Sequence, residues 1–97
     1  MNTFMVVAAF KPDTDMRDVL AVVKDDLAQV AVLRAEDRVG SIHISVARGT
    51  TFFEIFASDE GSAKATVETL PMSKWWDLDI YPITPPALLT RPALPGA

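Results

Sequence analysis

The single histidine of the chain, His43, sits in the stretch Gly40-Ser41-Ile42-His43-Ile44-Ser45-Val46-Ala47. Ile42, Ile44 and Val46 fall on one side; Ser41, His43, Ser45 and Ala47 fall on the other. That period of two marks a half-buried strand. A turn at Arg48-Gly49-Thr50 leads into residues 51–57, Thr-Phe-Phe-Glu-Ile-Phe-Ala, rich in aromatic and β-branched side chains. A hairpin of the two runs must set apolar residues against apolar ones. Pairing Ile42 with Ile55 and Ile44 with Phe53 does this, and it places His43 directly opposite Glu54. Directly opposed side chains on one face are within reach of each other. A histidine oriented by a carboxylate serves as general acid or base near neutral pH. The same pair also reads as a polar contact that stabilises a sheet edge. His43 and Glu54 are the expected catalytic pair.

Other residues share that face or its neighbourhood. Ser41 and Ser45 flank His43 and can hydrogen-bond a substrate. Asp77 and Asp79 stand two apart in the last apolar–polar alternation, with Tyr81 beyond them. Two carboxylates can split acid and base roles, or simply line a solvated edge. Met5, Val7 and Ala9 of the first strand, with Phe52 and Phe56, supply apolar walls. Trp75 belongs at a pocket mouth or an interface, where aromatic anchors are frequent. The expected substrate contacts are therefore Met5, Val7, Ser41, Ser45, Phe52, Phe56, Trp75, Asp79 and Tyr81. Arg48 and Lys74 are candidates for steering an acidic substrate, or plain turn residues.

Several chemistries lack their residues. The chain has no cysteine and one histidine, which excludes thiolate metal sites, cysteine nucleophiles and a poly-histidine site in one subunit. No Gly-rich phosphate loop or nucleophile elbow occurs.

The elements that position these residues follow from periodicity. Residues 3–10 read as a first strand, ended by Lys11-Pro12-Asp13. Asp13, Thr14 and Asp15 are candidate helix caps. Met16, Val19, Leu20, Val23, Leu27 and Val30 then recur at helical spacing, predicting one amphipathic helix of about five turns. Strands over 40–47 and 51–57 form the hairpin. Ser58 reads as the cap of a second helix carrying Ala63, Val67 and Leu70, stopped by Pro71. Residues 76–83 form the last strand, with Trp76 toward the core.

The order βαββαβ predicts an α+β, ferredoxin-like fold with a four-stranded antiparallel sheet and both helices on one face. The other sheet face is too apolar to stay wet, so two sheets are expected to stack as a homodimer. Residues 1–83 form the domain. Residues 84–97, with four prolines and three leucines, form an arm expected to cross the partner subunit near its pocket. With 97 residues, 49% hydrophobic and 23% charged, the chain suits one globular domain. Nine Lys and Arg in a chain of net charge -4 offer no cationic face for nucleic acid or anionic membrane. The opening apolar run is far shorter than a membrane span and lacks a basic flank; the expected compartment is the cytoplasm.

The segment Leu70-Pro71-Met72-Ser73-Lys74-Trp75-Trp76-Asp77-Leu78-Asp79-Ile80 resembles muconolactone isomerases: Leu-Pro, an apolar residue, a short turn, then an acid–apolar–acid–apolar strand. Phe10-Lys11-Pro12 before an Asp-Met helix start is similar too. The resemblance implies a dimeric α+β barrel, often assembled into larger rings, and catalysis without metal or organic cofactor. The expected function is a cofactor-independent, isomerase-like enzyme. It would do acid–base chemistry on a small hydrophobic metabolite, a lactone, enone or polyketide-like ring. A cofactor-independent monooxygenase on the same fold and a non-catalytic dimeric ligand-binding module are the alternatives.

Overall fold

The computed structural model describes residues 1–84. Its elements are β1 (Asn2–Phe10), α1 (Met16–Ala21), α2 (Val23–Ala35), β2 (Val39–Ser45), β3 (Thr50–Ala57), α3 (Glu60–Glu68) and β4 (Trp76–Ile83). Short 3₁₀ segments occupy Val46–Arg48 and Pro71–Trp75. The strands make one antiparallel sheet in the order β2-β3-β1-β4, compatible with the ferredoxin-like arrangement. The expected arm lies, from Pro85 onward, outside the described residues. Among the described residues no helix is long and apolar enough to cross a membrane.

Strand alternation builds the core. Phe4, Val6 and Ala8 of β1, Phe53, Ile55 and Ala57 of β3, and Trp76 of β4 meet Leu33 of α2 and Ala63 and Val67 of α3. The rings of Phe10 and Phe53 tilt against Trp76 with centroids 6.3 and 5.5 Å away. Trp76 is thus the core residue its parity predicts. The opposite sheet face carries Met5, Val7, Ala9, Phe52 and Phe56, all half-buried.

The hairpin register differs from the expected one by two residues. Ile42 pairs with Phe53, His43 with Phe52 and Ile44 with Thr51. His43 therefore does not oppose Glu54. A slip of two keeps Ile42, His43 and Ile44 on their expected faces, because the strand period is two. Its physical cause is the connection. The expected pairing leaves a two-residue loop, Arg48-Gly49, and such a loop needs positive φ at its first residue, which an arginine disfavours. The observed loop is longer: β2 ends at Ser45, not Ala47, and the only left-handed residue of the connection is Gly49, at φ 55°. Val46, expected on the apolar face, is 87% exposed in that loop. Farther along, Val39 pairs with Ile55, so three steps on β2 match two on β3, a bulge at Gly40 and Ser41.

The single five-turn helix is also corrected. The chain breaks at Val22 into α1 and α2. Met16, Leu20 and Leu27, expected in the core, are exposed. Val19, Asp26 and Leu33 are the buried positions. They are spaced by seven, two helical turns, so one stripe faces inward and a carboxylate lies in it. Asp15 caps α1 by accepting from the Arg17 N–H at 2.9 Å. Asp59, rather than Ser58, caps α3 through the Ser62 N–H at 2.7 Å.

Candidate functional site

The sheet register sets the expected site residues in rows across the uncovered face. One row runs His43, Phe52, Val7, Asp79; the next runs Glu54, Met5, Tyr81; a third runs Phe56, Thr3, Ile83. Ser45, Thr50, Ala9 and Asp77 form a fourth. The middle of the face is apolar and its two edges are polar. His43 and Asp79 share a row but sit on opposite edge strands, with two strands between them. Tyr81 donates its hydroxyl to Asp79 Oδ2 at 2.7 Å, and that bond, with the charge of Asp79, holds the phenol above its ordinary pKa.

Glu54 has a different partner from the one expected. Its carboxylate folds over Gly40 and accepts the Ser41 N–H at 3.0 Å. This satisfies a backbone donor freed by the bulge. A Cβ on Gly40 would collide with Glu54 Oε1, so the glycine is what admits the carboxylate. No hydrogen bond among the described residues joins Glu54 to exposed His43. Trp75 lies in the 3₁₀ segment rather than in β4, with Lys74 Nζ 4.5 Å above its ring. Arg48 is exposed in the hairpin loop. The structure therefore brings Met5, Val7, Phe52 and Phe56 together, and leaves His43 and Glu54 unjoined.

A concavity lies on the other, helix-covered side. Val23, Leu27, Val30 and Arg34 of α2 face Ile42 and Ile44 of β2 and Thr51 and Phe53 of β3 across a cleft of about 540 Å³. Met72 and Trp76 also line it. The volume lies within the usual range of small-molecule sites, and the walls are mostly apolar, as such sites are.

Few polar groups reach this cleft. Asp26 lines it and is 7% exposed. Its Oδ1 accepts the Met72 N–H at 3.1 Å. Burial pushes its carboxyl up from the ordinary aspartate pKa, and the Met72 bond opposes that only in part. The indole Nε1 of Trp76 is buried with no partner among the described residues. Leaving such a donor unpaired costs about 1–3 kcal/mol. Arg34 stands exposed at the cleft rim. A buried carboxyl of raised pKa in an apolar cleft is the arrangement acid–base sites use.

Sequence reasoning missed Asp26, which stands in a run of charged residues beside Lys24 and Asp25. The available signal was its place midway between Val19 and Leu33, at the spacing that keeps one helix face inward. Comparison with protein-family models and with curated proteins finds no match for this chain.

Proposed function

We propose that the chain is a cofactor-independent, isomerase-like enzyme that binds a small hydrophobic metabolite in the cleft between α2 and the β2–β3 hairpin. Asp26 is its proton-transfer group. The observation that carries this reading is the placement of one carboxylate, 7% exposed, in an apolar cleft of about 540 Å³. The carboxylate removes a proton from the carbon beside a ring carbonyl. The electron pair moves onto the carbonyl oxygen, and the proton returns at a different carbon as the double bond shifts. Atoms and electrons balance without an oxidant. The muconolactone isomerase-like segment 70–80 supports the reaction class, and it holds both Met72 and Trp76. On this reading His43 and Glu54 belong to the sheet rather than to the chemistry.

Two copies stack through the uncovered sheet faces as a dimeric α+β barrel, and the helix-side clefts stay open on the outside. A cysteine-free, acidic chain suits the cytoplasm.

Deuterium exchange tests the chemistry. Unsaturated five-membered lactones and cyclic enones are incubated with the protein in heavy water and followed by NMR. The expected result is movement of the double bond with deuterium incorporated at the carbon that receives the returning proton, lowered by about 10²-fold or more in Asp26→Asn. Asparagine still accepts the Met72 N–H, so the fold is kept. Full incorporation by the variant overturns the role of Asp26. A second reading, a binding module, draws on the Met72 contact, which already gives Asp26 a structural task. Ligand-induced stabilisation without any exchange favours that module.

A further inference from the structure

Asp26 and Arg34 stand on the same face of α2, eight residues apart, which separates them by about 12 Å along the helix. Between them the helix presents Leu27 and Val30 to the cleft, facing Ile42 and Phe53. The cleft therefore has an acidic inner end, an apolar middle and a basic rim.

The three arginines with described side-chain surroundings near these helices are used differently. Arg17 pairs with Asp15 at 2.9 Å and Arg38 with Glu36 at 3.3 Å. Arg34 makes no ion pair among the described residues. Arg48 and the lysines also lack ion pairs among the described residues; Arg34 is set apart by its place in the lining of the apolar cleft, where an anion would find both a cation and an apolar wall. An anion at the other end would meet the carboxylate of Asp26, so one orientation is favoured.

Resting on the cleft reading above, we infer that the ligand is an amphiphile: an apolar body of two linked rings or an equivalent chain, with one anionic group at the Arg34 end. The anion is a carboxylate or a group of the same charge. The end that reaches Asp26 is uncharged.

Two dyes of nearly the same body and different charge test this. 8-Anilinonaphthalene-1-sulfonate carries the anion; N-phenyl-1-naphthylamine does not. Both are titrated by fluorescence at low salt against the full chain, Arg34→Gln and Leu27→Gln. Leu27 is 63% exposed, so its replacement leaves the fold intact. The expected result is that Leu27→Gln weakens both dyes, whereas Arg34→Gln weakens the sulfonate by about fivefold and leaves the neutral dye unchanged. Added salt should erase the same difference in the parent protein. If Arg34→Gln changes neither dye, or both alike, while Leu27→Gln weakens both, the anionic class is wrong and the cleft stands. Arg34 then serves only the C-terminal end of α2, where a cation is favourable in any case. If Leu27→Gln leaves both dyes unaffected, they bind elsewhere and the cleft reading falls as well.

Discussion

Asp26 carries a stability cost that can be read apart from any turnover. Burial raises its carboxyl pKa, so the folded chain holds that proton to a higher pH than the unfolded chain does. Between the two pKa values the native state binds more protons, and stability falls as pH rises. The contribution is complete below the ordinary aspartate value of 3.8 and is lost as pH climbs through the folded value. Asp26→Asn removes the ionisation and keeps the acceptor for Met72. Its melting temperature should exceed the parent's at neutral pH, and the two should converge in acid. The exposed caps Asp15 and Asp59 work in the opposite direction, since hydrogen bonds hold their carboxyls low. They are common to both proteins and cancel in the difference. A variant that melts below the parent at neutral pH would show that the ionised carboxylate stabilises the fold. The expected cost in activity and gain in stability together are the usual signature of a functional buried charge.

At the scale of elements, the end of α2 shows how backbone geometry and residue type can disagree. The Asp37 N–H donates to the Arg34 carbonyl at 3.0 Å and the Arg38 N–H to the Leu33 carbonyl at 2.9 Å. These are the paired bonds of a Schellman ending, which needs a left-handed residue at Asp37, here at φ 55°. Aspartate tolerates that conformation less well than glycine. Asp37→Gly should stabilise the protein by about 0.5–1 kcal/mol, seen as a shift of the urea midpoint with unchanged slope. Loss of stability would mean that the Asp37 side chain contributes more than its backbone costs. The same region shows what was legible in the sequence. Strand parity placed Phe53, Ile55 and Trp76 in the core, because a two-residue period has only two faces to choose between. Helix packing was harder to read. Met16, Leu20 and Leu27 keep helical spacing yet stay exposed, since the inward stripe runs through Val19, Asp26 and Leu33, on the flank of the apolar spacing rather than at its centre. The hairpin register depended on loop length, and Gly49 admits a loop that apolar alternation alone does not reveal. The acid–base candidate moved with those details, from an edge of the open sheet face to a helix position that charge made look solvated.

For the whole molecule, the sheet is covered by helices on one face and by nothing on the other among the described residues. The uncovered face has an apolar middle, Met5, Val7, Phe52 and Phe56, and polar edges at His43 and at Asp77 and Asp79. An apolar centre within a polar rim is the anatomy of a protein–protein interface. Two such sheets stack about 10 Å apart with their inner side chains interdigitating. Val7 sits in the row between Phe52 and Asp79, on an inner strand, so in the proposed dimer both copies would bring it to the middle of the stack. Val7→Lys places an unpaired ammonium there twice over, and each costs several kcal/mol when desolvated. In the separate subunit the same lysine points to water, away from the core of Phe4, Val6 and Ala8, and its cost is at most about 1 kcal/mol of strand propensity. Light scattering at micromolar concentration should therefore find the parent as a dimer or a multiple of it. Val7→Lys should be a monomer with the parent's far-UV circular dichroism. The helix-side cleft lies on the opposite face, so dye binding by Leu27 and its neighbours should survive the loss of the dimer. A monomeric parent, or a lysine variant that still associates, would remove the sheet face as the dimer interface.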